Sequence, residues 1–136
     1  MAGWKMSRDP LFRGDGHGGV QLPVPNADAS IVRHVLYLDG PGRPSPYLST
    51  TADRDVAERF ASGGGRVYTT RVPSWDTHRV AHISRADLLQ NLKGKGKGRA
   101  AWPSAFEVMQ ARRYVEESAE HLADFVGLPG TGLREV

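Results

Sequence analysis

Three groups of side chains in this sequence have types suited to chemistry. Arg13 lies in Leu11-Phe12-Arg13-Gly14-Asp15, Ser49-Thr50-Thr51 follows Tyr47-Leu48, and Glu107 lies in Phe106-Glu107-Val108. Tyr47 and Leu48 favour a strand, so the three hydroxyls come at a strand end. Val56, Ala57, Phe60 and Ala61 then recur at helical spacing, with Thr51 as the expected N-cap and Asp53 and Asp55 in the first turn. Hydroxyls beside free helix N–H groups suit a ribose or a phosphate. The same residues also fit an ST-turn that only caps a helix. Taken singly, Arg13 reads as a surface ion pair with Asp15 and Glu107 as a solvated carboxylate. Their order along the chain makes them a candidate set.

Other chemistries are excluded by what is missing. There is no cysteine, so disulfides and thiolate metal sites are ruled out. His78 and His82 have the spacing of a helical zinc pair, but their segment reads as a strand, which separates the rings by about 13 Å. No G-x-S-x-G nucleophile turn is present. Gly14-Asp15-Gly16-His17-Gly18-Gly19 matches G-x-G-x-x-G, but Pro23 and Pro25 follow where the fingerprint needs a helix. The Lys93–Arg99 loop ends Gly98-Arg99-Ala100 and fails as a P-loop.

The 136 residues fit a single domain, with 128–136 expected as a frayed tail. With 39% hydrophobic and 24% charged residues the composition is globular, and no run approaches a membrane span. Met1–Phe12 has no apolar signal core. The net charge of +3 is unevenly spread: Lys93, Lys95, Lys97, Arg99, Arg112 and Arg113 surround Glu107, whereas acids dominate after Val115.

The elements that must position the candidate residues follow from patterning. Strands are expected at 11–15, 47–51, 66–73, 78–83 and up to about Gln110. Helices are expected at 28–36, from about Thr51 to Ala61, from Ser84 to about Leu92 with Ser84 and Asp87 as its cap, and at 115–126. The span from Pro103 to Val126 also reads as one long helix. Lys93 to Arg99 alternates glycine and charge and should be a flexible cationic loop, ending at Trp102-Pro103.

The aromatic-Arg-x-Asp stretch at Phe12–Asp15, the aromatic-x-Ser-Thr-Thr stretch at Tyr47–Thr51 and a late glutamate strand at Phe106–Val108 together resemble the mono-ADP-ribosyltransferase toxins of the cholera and pertussis group. The resemblance spans roughly residues 10 to 120. It implies an α+β fold of two small antiparallel sheets packed around an NAD cleft, with flanking helices. It implies transfer of ADP-ribose from NAD to a macromolecular acceptor, with Arg13, Ser49 and Glu107 as the catalytic set. Arg13 would hold the diphosphate or adenylate ribose, Gly14 would let the backbone approach NAD, and Asp15 would brace Arg13. Ser49 would orient the glutamate, while Thr50 and Thr51 would shape the nicotinamide pocket. Glu107 would stabilise the oxocarbenium-like ribose.

Many members of this group carry Glu or Gln two positions before the catalytic glutamate and use that extra acid for transfer to arginine. Ala105 stands there relative to Glu107. This points to a different acceptor, or to Glu116 or Glu117 as the catalytic acid. Lys93, Lys95, Lys97 and Trp102 lie in the segment with which the family reads its acceptor, and their cation-plus-aromatic character suits RNA or DNA. The resemblance also implies action in the cytoplasm of a producer or target cell, delivery as part of a larger carrier and a neutralising immunity partner. Two other readings share the scaffold: a non-catalytic binding module and an NAD glycohydrolase with water as acceptor.

Overall fold

The computed structural model describes residues 10–16, 22–38 and 44–128. Of the tail expected at 128–136, residues 129–136 lie outside them, as do residues 17–21 of the glycine-rich segment.

Among the described residues five strands, β1 (Leu11–Asp15), β2 (Tyr47–Thr51), β3 (Arg66–Thr70), β4 (Ala81–Ile83) and β5 (Glu120–Asp124), form one antiparallel sheet in the order β3-β1-β2-β5-β4. The α-helices described flank it: α1 (Ile31–Val35), α2 (Arg54–Phe60), α3 (Val72–Thr77), α4 (Arg85–Asn91) and α5 (Ala105–Ser118). The protein is therefore α+β, but the expected pair of sheets is a single sheet. Its two halves meet at a seam. β1 and β3 pair along their whole lengths, and so do β2 and β5, whereas β1 touches β2 through the single pair Phe12–Thr51.

Each face of the sheet carries its own core. On one side Ile31, Val32 and Val35 of α1, Leu88 of α4 and Val108, Ala111 and Val115 of α5 pack onto Tyr47 and Leu122. On the other, Leu11, Leu48 and Ala123 pack against Trp75, Val80 and Phe125. The i, i+3, i+7 spacing of Val108, Ala111 and Val115 puts all three on the buried face of a helix.

Several elements differ from their sequence pattern for identifiable reasons. The strand expected at 66–73 stops at Thr70, and Pro73 enters the first turn of α3, where its missing N–H costs nothing. The strand expected at 78–83 shrinks to β4, and His78 sits in the turn after α3. The N-cap of α2 is Asp53, whose side chain accepts from the Asp55 N–H; Thr51 accepts from the Asp53 N–H one step earlier. Ser84 and Asp87 form the expected capping box on α4.

The largest change is at the C-terminal end. The expected strand to Gln110 is helical, and the expected helix at 115–126 becomes the end of α5 followed by β5. Ser104 caps α5 by accepting from the Glu107 N–H, so Ser104-Ala105-Phe106-Glu107 is a helix start. Ala119 ends the helix in the left-handed conformation, φ 48°. The chain there turns from helix into strand within one residue, at Glu120.

Candidate functional site

A small cleft, with a cavity volume of about 60 Å³, opens where β1 and β2 separate. Arg13 and Gly14 of β1, Ser49, Thr50 and Thr51 of β2, and Glu120 of β5 line it, and Tyr37, Phe60 and Tyr114 are among its wall residues. Beyond the Phe12–Thr51 pair the β1–β2 ladder has no further pairing. Arg13 fills the gap: its Nη1 donates to the Ser49 carbonyl at 2.9 Å. Nε and Nη2 donate to the two Asp15 carboxylate oxygens at 2.9 and 2.8 Å. This bidentate pair is mostly shielded from solvent and sets the guanidinium plane. A guanidinium has five N–H groups. Among the described residues three are used, which leaves two for an anionic ligand.

Gly14 allows α2 to lie close against β1. A Cβ there would sit 1.7 Å from the Ala57 carbonyl oxygen. This contact keeps α2, which carries the wall residues Val56 and Phe60, against the strand that carries Arg13.

Glu120 is the carboxylate of the cleft. It is 4% exposed and begins β5 directly opposite Thr51. Burial strips its charge of water and pushes its pKa up to about 7, although the Ser49 hydroxyl and the Arg13 charge pull the other way. Its Oε2 has no hydrogen-bond partner among the described residues. An unpartnered carboxylate oxygen at the base of a cleft is costly in isolation and becomes useful once a hydroxyl reaches it.

Behind Glu120 runs a hydrogen-bonded chain. Ser49 Oγ is 2.7 Å from His34 Nε2, and His34 Nδ1 is 2.7 Å from Ser45 Oγ, which accepts from the Tyr47 N–H. The Ser49 hydroxyl is thereby held by the imidazole, and it favours the ionised form of Glu120. The ring of Tyr47, edge-on to His34 at 5.5 Å between centroids, fixes the imidazole.

Thr50 and Thr51 do not offer their hydroxyls to the cleft. Thr50 Oγ1 donates to the His121 carbonyl and Thr51 Oγ1 to the Ser118 carbonyl. Both clamp β5 and the end of α5 onto β2, which holds Glu120 in register.

The structure thus brings Arg13, Gly14, Ser49, Thr50 and Thr51 to one cleft, places Asp15 outside its lining as the partner of Arg13, and leaves Glu107 out. Glu107 sits in the first turn of α5, about 17 Å along the helix from Ser118, and accepts from Trp102 Nε1 at 2.9 Å. Glu116 and Glu117 are exposed on α5 and are not part of the cleft. The expected acceptor residues are also displaced. Lys93, Lys95 and Lys97 belong to the loop between α4 and the start of α5, at the far end of that helix. Arg99 of the same loop pairs at 2.6 Å with Asp124, which lies about 13 Å along β5 from Glu120. Trp102 packs against the core with Arg33 over its ring at 5.5 Å, so its face is occupied.

The Ser-x-x-Glu signature at 104–107 could have assigned Glu107 to a helix start from sequence. No comparable signal marks Glu120. Glu, His, Leu, Ala and Asp lack the β-branched and aromatic bias of a strand. His34 gave no signal either, because Ser45 and Ser49 reach it only in three dimensions.

No family model, curated protein or solved structure matches this chain. Among the described residues no helix is long and apolar enough to cross a membrane, and no three His, Asp or Glu side chains converge as metal ligands.

Proposed function

We propose that this protein cleaves NAD at the nicotinamide–ribose bond and transfers ADP-ribose to a macromolecular acceptor. The observation that carries this reading is Glu120. It is a buried carboxylate near Ser49, with an unpartnered oxygen in a cleft that also presents an Arg13 guanidinium with N–H groups to spare. The arrangement fits the toxin-like Arg–Ser–Glu pattern, with Glu120 in the role expected of Glu107.

The chemistry follows from charge. As the C1′–N bond breaks, the nicotinamide leaves with the bonding pair and becomes neutral, and positive charge develops on the ribose. Glu120, as carboxylate, stabilises that charge and accepts a ribose hydroxyl proton in a hydrogen bond through Oε2. Arg13 binds the diphosphate with its remaining N–H groups. The acceptor's nucleophilic atom then bonds to C1′ and releases its proton, so the products are ADP-ribosylated acceptor, nicotinamide and one proton. Ser118, not Glu or Gln, stands two positions before Glu120, and its carbonyl is occupied by Thr51. That favours an acceptor other than an arginine side chain.

The test is nicotinamide release from NAD by wild type, Arg13→Ala, Ser49→Ala and Glu120→Gln. Wild-type release with loss in all three supports the reading; no release by wild type refutes it. NAD labelled in the adenylate half, incubated in a cell lysate that is then split into protein and nucleic-acid fractions, identifies the acceptor class. Nicotinamide release with no labelled fraction indicates water as acceptor.

A further inference from the structure

Tyr37 follows α1 with φ 53°, in the left-handed region that costs a side-chain-bearing residue about 1–2 kcal/mol. The Tyr37 N–H bonds the His34 carbonyl and the Leu38 N–H bonds the Arg33 carbonyl. That is the hydrogen-bond pattern of a Schellman motif, with Tyr37 at the position that glycine normally takes. A large aromatic ring therefore stands where the backbone would favour no side chain. The ring is 44% exposed, so core packing does not explain it. It lines the cleft together with Arg13 and Ser49, edge-on to Tyr114 at 6.3 Å. Tyr114 shares the cleft wall with Ser118, two residues before Glu120. Strain at a site residue points toward function.

We infer that Tyr37 is a specificity-determining residue whose ring meets the nicotinamide of NAD in the cleft, with Tyr114 holding it in place. The inference rests on the NAD reading and adds to it. The substrate carries two aromatic systems joined by a polar diphosphate. Arg13 takes the polar part, and the tyrosine wall supplies an aromatic surface beside the carboxylate that would face the nicotinamide ribose. An aromatic contact of this kind contributes a factor of roughly 3 to 10 in affinity.

The experiment measures NAD and ADP-ribose binding by calorimetry in the Glu120→Gln background, which prevents turnover. Tyr37→Asn removes the ring with a residue that tolerates left-handed backbone, and Tyr37→Phe restores the ring without the hydroxyl. The expected result is NAD affinity three- to tenfold weaker with Asn and largely recovered with Phe, ADP-ribose affinity within twofold throughout, and no fall in melting temperature with Asn. NAD affinity unchanged with Asn overturns the inference, and so does an equal loss for ADP-ribose, which carries no nicotinamide. A lower melting temperature with unchanged NAD affinity assigns Tyr37 to stability alone. If the Tyr37-intact protein binds NAD and wild type releases nicotinamide, any of these failures is confined to Tyr37. If neither occurs, the NAD reading itself has failed.

Discussion

Replacing Glu120 by Gln keeps the shape of the side chain and removes its ionisation, and the structure predicts opposite effects on stability and activity. In the folded protein the carboxyl titrates near pH 7, against 4.5 for an ordinary glutamate, chiefly because it is buried. The folded state therefore binds the proton more tightly than the unfolded state. Below about pH 4.5 both states are protonated and the difference costs nothing. As pH rises from 4.5 to 7 the unfolded chain ionises first, so wild-type stability falls; above 7 the full cost is present. A difference of about 2.5 pK units corresponds to ~3 kcal/mol. Glu120→Gln escapes it and should melt on the order of 10 °C above wild type at pH 8, while the two curves converge near pH 4.

The activity should move the other way. Loss of a preorganised group that stabilises developing charge costs about 10²–10³ in kcat. Wild-type nicotinamide release should itself rise with pH through about 7, as the carboxylate forms. Calorimetric melting at pH 4, 6 and 8 and a discontinuous nicotinamide assay over the same range read both effects. Equal melting temperatures at pH 8 together with undiminished nicotinamide release would refute the assignment of a buried catalytic carboxylate at this position.

Three further substitutions probe the supporting structure. His34→Ala leaves the Ser49 hydroxyl without its partner at 2.7 Å; kcat for nicotinamide release should fall about tenfold through loss of one oriented hydrogen bond, with KM for NAD changed less, and steady-state kinetics separate the two. Gly14→Ala forces a Cβ to within 1.7 Å of the Ala57 carbonyl, so α2 must shift; destabilisation of about 3 kcal/mol or more, read by urea unfolding, is expected, and a neutral result would mean that the β1–α2 contact is not close. Glu107→Gln keeps a hydrogen bond to Trp102 available and lies outside the cleft; nicotinamide release should stay within twofold of wild type, and a hundredfold loss would return the catalytic role to Glu107.

The local half of the site was readable in the order of residues. Arg13 with Asp15, and Ser49 with its threonines, lie on short strands declared by their apolar residues, with Gly14 and Gly16 at the end of the first and Pro44 and Pro46 before the second. In each, the functional side chain stands one or two positions from a residue that the strand buries. The helix after Thr51 and the capped helix after Ser84 were declared by spacing and cap chemistry in the same way. The acid was not. Glu107 sits in a segment whose alternation imitates a strand, whereas Glu120 sits in one whose composition favours helix. Local propensity is worth tenths of a kcal/mol per residue. The pairing of 120–124 with both β2 and β4, and the burial of Leu122, Ala123 and Phe125, outweigh it.

The sequence by itself determined which groups are available: a guanidinium with a carboxylate two residues away, a hydroxyl at a strand end and acids late in the chain, with no thiol. Tertiary structure decided which acid, and it did so through long-range contacts. Thr51 holds the Ser118 carbonyl, Thr50 holds the His121 carbonyl, and Ala119 turns left-handed between them, so Glu120 arrives beside Ser49. Tertiary structure also removed Lys93, Lys95, Lys97 and Trp102 from the cleft, because a helix of 14 residues separates their loop from β5. Each of these outcomes depends on residues far apart in sequence becoming neighbours, and no local pattern encodes that.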